Sequence, residues 1–483
     1  MKLNKKVLLL AAVMMTAAAQ GKVRLPHLIG DNMIIQQQQD VRLWGWDEPG
    51  KSVKVSVSWS SDVVKVKTGN DGKWLVTVRA PKASYTPLSI IFDDGEPVTV
   101  NNVLAGEVWV CAGQSNMEMP VKGFWQCPVE GYNEWVLESA RHKAVHSVKI
   151  PSIMRSEPQE DAQCEWKVCS PQTVDDFSAT GYFFARVLHE ALDIPIGLIE
   201  ANKGGSRVES WFTKENLQRY TSDPTDSVEI AKKWPQDYHR SLLWGNGTFN
   251  PILNYTVKGI LFYQGCSNVG DPGDQYSTRL KLLVEQWRSQ FALGEIPFYF
   301  VQIAPYACGD VNGDWNAKLQ EQQWKAAQII PNSSVVCTND LVYPYEYTQI
   351  HPTQKRQVGE RLAWTALNRD YGFSQVLYKS SSYKDMKIDG NAVYVHLQDN
   401  YHADAPFEDI KGFELAGEDR VFHPANAEHF WQQGGGYWDE AIKVTCPEVP
   451  NPVAVRYCFR NFMLGNVKNG ANLPLFPFRT DNW

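Results

Sequence analysis

Four stretches of this sequence carry residue types suited to acyl transfer, spread through its central part. The first runs from Val108 to Pro120, where the apolar run Val108-Trp109-Val110-Cys111-Ala112 breaks at Gly113-Gln114-Ser115-Asn116. A serine at the edge of a buried strand, beside a glycine that lets the backbone turn, is where α/β enzymes present a nucleophile. The second is Asn202-Lys203-Gly204-Gly205-Ser206, whose paired glycines let a backbone N–H approach a ligand closely. The third is Gln264-Gly265-Cys266-Ser267-Asn268, with a side-chain amide donor at Gln264. The fourth is Ile350-His351-Pro352. Taken singly, each reads as an ordinary turn or helix start. Taken together they supply a complete chemistry. The serine attacks a carbonyl carbon, and the histidine removes the serine proton and returns one to the leaving alcohol. Donors from separate loops surround the oxyanion that develops in between.

These residues need a scaffold that brings loops together. From Val103 to about Tyr371 strand and helix patterns alternate. Apolar strands are expected at Ile196 to Ala201, Val257 to Tyr263, Phe298 to Ile303 and Ser334 to Thr338. Helices are expected after caps at Asp176 and Asp274, around Trp324, and after Pro352. Such alternation predicts a mostly parallel sheet with helices on both faces, and active sites in such sheets lie at the carboxyl ends of the strands. Before it, from Val23 to about Asn102, apolar and polar residues alternate with a period of two across Asp/Asn/Gly turns. That pattern predicts an antiparallel β-sandwich. After Gly372 the β pattern returns, as a second module or as strands completing the first. The expected organisation is a signal segment at 1–19, an N-terminal β domain at 20–102, a catalytic α/β domain at 103–371 and a C-terminal β domain at 372–483.

The signal segment is read from Lys2, Lys5 and Lys6, the short apolar run Val7 to Met15, and Ala17-Ala18-Ala19 as a cleavage site. It implies export to the periplasm or beyond. No later stretch is apolar enough for a membrane span. The 47 basic against 54 acidic residues, with no basic cluster, give no reason to expect nucleic acid as a partner. Nine cysteines leave at least one thiol unpaired within the chain; Cys164 with Cys169 and Cys446 with Cys458 are spaced for local pairing. No C-x-x-C pair or H-E-x-x-H helix marks a zinc site. His142, His146 and His423 read as packing or surface residues, and Asp271 and Asp274 as turn and cap.

The ordered set of motifs resembles the sialate O-acetylesterase family of the SGNH-hydrolase superfamily. The resemblance rests on Gly113-Gln114-Ser115-Asn116-Met117-Glu118-Met119, Gly204-Gly205-Ser206 with Glu209-Ser210-Trp211, Tyr263-Gln264-Gly265 with Ser267-Asn268, and Ile350-His351-Pro352 with Val358-Gly359 and Arg361-Leu362-Ala363. Outside the central part it extends to Leu25-Pro26-His27, Asp31-Asn32-Met33, Trp44-Gly45-Trp46, Phe413 to Gly417 and Phe478 to Asp481. It implies an SGNH-like parallel sheet flanked by helices, with β-sandwich modules at either end. It also implies Ser115 as nucleophile, His351 as general base, and an oxyanion hole formed by the N–H of Ser115, a glycine of the Gly204-Gly205 pair and the Gln264 side chain. The implied reaction is hydrolysis of O-acetyl esters on sialic acid, with no metal or organic cofactor.

Two positions depart from the family pattern. Relatives carry an aspartate just before the histidine, where this chain has Tyr347-Thr348-Gln349-Ile350. A carboxylate there orients the imidazole. Glu346, Asp340 and Gln349 are the candidates to replace it. Relatives also have glutamate after Gln-Gly, where this chain has Cys266. Arg207 suits bidentate contact with a sugar carboxylate, or an ordinary ion pair. Two rival functions follow: an acetylesterase of xylan or another carbohydrate, and a carbohydrate-binding protein whose catalytic centre has decayed.

Overall fold

The computed structural model describes residues 22–400, 408–434 and 437–483. The expected signal segment at 1–19 lies outside these residues. The central sheet has seven strands: β1 (Val98–Gly113), β2 (Val145–Lys149), β3 (Trp166–Val168), β4 (Ile196–Asn202), β5 (Gly259–Tyr263), β6 (Phe298–Val301) and β7 (Ser333–Val336), in the spatial order β7-β6-β5-β1-β4-β2-β3. All neighbours are parallel except β2 and β3. The order reverses at β1, which lies between β4 and β5. Gly113 pairs with both Asn202 and Tyr263, so these three strands end level with one another. This is the switch point at which open α/β sheets build their sites.

Both faces of the sheet are covered, which is why its strands read as continuous apolar runs. Alternate residues of one strand enter different cores. Val108, Val110 and Ala112 pack on one side with Phe262, Trp287 and Leu280; Trp109 and Cys111 pack on the other with Phe184, Leu188 and Leu362. The helices that close these cores are α1 (Ser115–Glu118), α2 (Ala179–Leu192), α3 (Tyr276–Phe291), α4 (Trp315–Ile329) and α5 (Arg356–Asp370). Helix α2 is capped by Ser178, whose hydroxyl accepts from Gly181 N at 3.0 Å, rather than by Asp176. Helix α5 begins at Arg356, past the position Pro352 suggested.

N-terminal strands form two facing layers. Asp40–Trp46 pairs with Lys73–Arg79, and Ser52–Val57, Val63–Lys67 and Ser84–Asp93 form the other layer. Trp74 and Phe92 meet between them with ring centroids 5.6 Å apart. Ser84–Asp93 also pairs with the first half of β1, so one strand runs through residues 102 and 103 and joins the β module to the central sheet. The C-terminal module has two four-stranded antiparallel sheets. Val393, Val395, Ile442 and Val444 from one pack against Leu415, Val455 and Tyr457 from the other. From this module Asn461 accepts Asn316 N at 2.8 Å and donates to Ala307 O and Asp310 O, steadying loops at the carboxyl end of the sheet. No helix among the described residues is long and apolar enough to cross a membrane.

All nine cysteines are free thiols, so neither locally spaced pair is bonded. Cys169 instead contacts Ser139 O at 3.8 Å, and Cys446 contacts Pro424 O at 3.4 Å.

Candidate active site

The turn that carries Ser115 is fixed by two bonds from Gln114. Its N–H donates to Tyr263 O at 2.9 Å, and its side-chain oxygen accepts from Gly265 N at 2.8 Å. These lace the ends of β1 and β5 together. Gly113 takes φ of +131°, and a Cβ there would lie 2.3 Å from Tyr263 O, so only glycine lets the strands close this tightly. Ser115 then opens the one-turn helix α1. Ser178 Oγ donates to Met117 O at 2.6 Å and Thr180 Oγ1 donates to Asn116 O at 3.2 Å, which locks α1 onto the start of α2.

The loop after β4 packs directly on this turn. Lys203 N donates to Gly113 O at 3.0 Å. A Cβ on Gly204 would sit 3.4 Å from Ser115 Cβ, so the bare glycine backbone is what lies against the serine. The Gly204 N–H donates to Glu118 Oε2 at 2.5 Å. The expected oxyanion donor is thus adjacent to Ser115 but engaged by a carboxylate. At Gly205 an added Cβ would meet the Tyr238 ring instead, at 2.5 Å.

Gln264 departs from its expected role. It is buried, and its amide donates to Ser206 O at 3.1 Å and Asn268 Oδ1 at 2.8 Å while its oxygen accepts from Tyr276 at 2.8 Å. Both amide hydrogens are committed to protein acceptors, so Gln264 braces the loops after β4 and β5. Arg207 is likewise an internal strut. It is 2% exposed, stacks on Trp234 at 3.9 Å, and pairs with Asp271 at 2.6 Å, Asp223 at 3.1 Å and Glu209 at 3.3 Å. Its guanidinium is thus held by the protein's own carboxylates.

His351 reaches the serine loop through its neighbour: Asn116 Nδ2 donates to Ile350 O at 3.0 Å, which ties the residue after Ser115 to the residue before His351. The His351 Nε2 is buried and has no hydrogen-bond partner among the described residues. Its Nδ1 lies 3.9 Å from Cys127 Sγ, and the ring packs edge-on against Phe124 with centroids 5.3 Å apart. Burial, with Lys355 adding like-charge repulsion, holds the imidazole down to about 4. Lys355 is itself buried; its ammonium donates to Pro352 O at 2.6 Å, and burial brings it down to about 7 against the pull of Glu346, Cys266 and Cys127.

None of the three residues expected to orient the imidazole touches its ring nitrogens. Asp340 accepts two bonds from Arg361, each 2.8 Å, and one ion pair from Lys468 at 3.3 Å, anchoring α5 to the end of β7. Glu346 spends both oxygens on backbone, accepting from Tyr343 N at 2.8 Å and Thr353 N at 3.0 Å, which staples the loop bearing His351. Gln349 accepts from His351 N at 3.1 Å and from Cys127 Sγ at 3.4 Å, so it holds the backbone of His351 and not its ring. Burial, with Cys308 adding to the shift, pushes the Cys266 thiol up to about 12, which leaves it protonated and a poor nucleophile at neutral pH.

Sequence reasoning missed Glu118, Cys127 and Lys355. Glu118 lay within a quoted motif, but nothing in its spacing shows that it bonds Gly204. Lys355 carries a readable signal, four residues after His351. Cys127 carries none, because its contact with His351 spans 224 positions.

Ser115 stands at the end of a strand, its neighbour Asn116 is bonded to the residue before His351, and His351 Nε2 is buried without a hydrogen-bond partner among the described residues. Comparisons with known proteins point to carbohydrate esterases. Residues 105–368 match the family model described as carbohydrate esterase, sialic acid-specific acetylesterase. A human sialate O-acetylesterase is 25% identical over 434 residues, spanning 81% of this chain and 80% of its own length. The mouse sialate O-acetylesterase is 24% identical over 471 residues, 85% of each chain. The crystal structure of a carbohydrate acetylesterase from Xanthomonas citri superposes with a TM-score of 0.83 at 30% identity, covering 96% of this chain and 100% of that one.

Proposed function

The chain belongs to the sialic acid-specific acetylesterase family of carbohydrate esterases, and from that premise we propose that it hydrolyses O-acetyl esters of sialic acids through Ser115 and His351. The observation that supports the reading is the bond from Asn116 to Ile350, which ties the residue after Ser115 to the residue before His351, whose Nε2 has no hydrogen-bond partner among the described residues. In this mechanism Ser115 Oγ attacks the acetyl carbonyl carbon while His351 Nε2 takes its proton. The carbonyl oxygen becomes an oxyanion facing the N–H groups of Ser115 and Gly204, Glu118 releasing the latter as the oxygen arrives. The C–O bond to the sugar breaks, and the sugar alkoxide leaves with the proton from Nε2. Water, deprotonated by the same nitrogen, then attacks the acetyl-serine; its acyl C–O bond to Ser115 breaks, Nε2 returns the proton to Ser115 Oγ, and acetate is freed.

A second reading, deacetylation of xylan or another glycan, is favoured by the solved relative from Xanthomonas citri, described only as a carbohydrate acetylesterase. Acetate release from O-acetylated sialic acid and from acetylated xylan separates the two. We expect kcat/KM at least about 10-fold higher on the sialate, the scale of discrimination that substrate contacts supply. Acetate from xylan alone would end the sialate reading and leave the esterase. Export follows, as part of the proposal, from the signal pattern at 1–19.

A further inference from the structure

Among the described residues no carboxylate bonds the ring nitrogens of His351, and something must still select its tautomer. A general base needs Nε2 unprotonated and facing the serine, so the single proton of the neutral ring has to sit on Nδ1 and have an acceptor there. Charged and titratable groups on every side of His351 are accounted for. Glu346 is closed by Tyr343 N and Thr353 N, and faces Lys355. Asp340 is closed by Arg361 and Lys468, and Glu118 by Gly204. Lys355 is turned to Pro352 O, which accepts from its Nζ at 2.6 Å, and Cys266 faces Lys355. Phe124 packs against the imidazole at an interplanar angle of 71° and carries no lone-pair acceptor.

What meets Nδ1 is Cys127 Sγ, at 3.9 Å. The same sulfur donates to Gln349 Oε1 at 3.4 Å, and that oxygen also takes the backbone N–H of His351 at 3.1 Å. The three groups close a ring: imidazole N–H to thiol sulfur, thiol S–H to amide oxygen, and the amide oxygen back to the histidine backbone. The thiol is fixed in place. A two-residue turn joins Phe124 N to Cys127 O at 2.9 Å and Cys127 N to Phe124 O at 3.0 Å, and Glu130 N donates to Thr353 O at 3.1 Å on the histidine loop.

We propose that Cys127, backed by Gln349, is the positioning residue for His351, filling with a thiol the place a carboxylate fills in other serine hydrolases. The assignment rests on the reading of Ser115 and His351 as the reacting pair. A neutral thiol selects the tautomer and holds the ring, but it adds no negative charge to raise the basicity of the imidazole. The pH dependence carries that signature. The base works when neutral, so kcat/KM is retained above the His351 value and lost as pH falls through about 4.

The test is the pH profile of aryl acetate hydrolysis by wild type, Cys127→Ala and Cys127→Asp. Cys127→Ala is expected to lower kcat about 10- to 100-fold with KM changed less than about 2-fold, the scale of one lost orienting hydrogen bond. Cys127→Asp is expected to move the acid limb upward by about one pH unit or more, because a carboxylate on Nδ1 favours the imidazolium. The shift reports that position 127 faces Nδ1, and the loss of kcat without a matching change in KM in Cys127→Ala is the readout that a merely structural role would not give. An unaltered kcat in the first variant, or an unmoved limb in the second, overturns the assignment. Should neither variant fold, 15N NMR of the wild-type ring at pH 7 decides: a proton on Nδ1 agrees, and a proton on Nε2 overturns it. Ser115→Ala separates this from the wider reading. If that variant is inactive while Cys127→Ala is unimpaired, only the positioning role fails; if it keeps the wild-type rate, the esterase centre itself fails.

Discussion

Replacing Ser115 by alanine is expected to lower kcat for acetate release by ~10^4-fold or more, the range seen when the nucleophile of a serine hydrolase is removed. The fold should be spared. The turn at Ser115 is held by the two bonds of Gln114, and α1 by Ser178 and Thr180 acting on the carbonyls of Met117 and Asn116. None of these passes through the serine hydroxyl. The midpoint of urea unfolding should therefore stay close to that of the wild type, within ~0.5 kcal/mol. Activity retained within 10-fold would mean that the acetyl group is attacked by something else. Cys266, on the loop after β5, offers an alternative thiol, but pushed up to about 12 it is protonated at neutral pH.

The largest effect on stability is expected at Arg207→Met. Its guanidinium is 2% exposed and pairs with Glu209, whose side chain is fully buried, and with Asp223, whose side chain is 5% exposed. Its third partner, Asp271, is 60% exposed and adds little. Removing the arginine leaves buried carboxylates short of a counter-charge, although Arg279 still pairs with Glu209 and Lys233 with Asp223. Breaking such a buried network from one side costs ~3–5 kcal/mol. Burial pushes the Asp223 carboxyl up, but Lys233, Ser241 and Arg207 outweigh it and hold the group below the usual carboxylate range. Its contribution to stability is therefore present above the unfolded carboxyl value and lost as pH falls through the depressed folded one. Urea unfolding at pH 7 measures the loss, which should shrink in strongly acidic solution as Asp223 protonates. An unchanged midpoint at pH 7 would show that Arg207 does not hold these charges.

The features legible in the sequence were those set by local pattern. A continuous apolar run followed by glycine gives a strand buried on both faces and a turn, and Val108 to Ser115 folds that way. Strand ends at Ala201 and Tyr263 could be read for the same reason, and with them the loops that converge on Ser115. What could not be read were side-chain partners distant in the chain. Arg207 suits a sugar carboxylate by chemistry alone, but its acidic partners include residues 16 and 64 positions away. Gln264 looked like a free donor because nothing local claims it; Ser206, Asn268 and Tyr276 do. Asp340 and Glu346 were chosen for closeness to His351 in sequence, whereas the residue that meets its ring comes from the loop after α1. The boundary expected near residue 103 falls within a strand, because β1 is partly exposed over residues 98–102 and fully buried from Val103 on.

The most direct test of the Ser115 assignment is covalent. An alkyl fluorophosphonate reacts with a serine that an adjacent base has activated, so the treated protein can be digested and the modified residue located by mass spectrometry. The account predicts a single adduct on Ser115, formed at a rate that falls when His351 is replaced by alanine and that acetylated substrate suppresses. An adduct on another residue that abolishes acetate release, or full loss of activity with Ser115 unmodified, would contradict it.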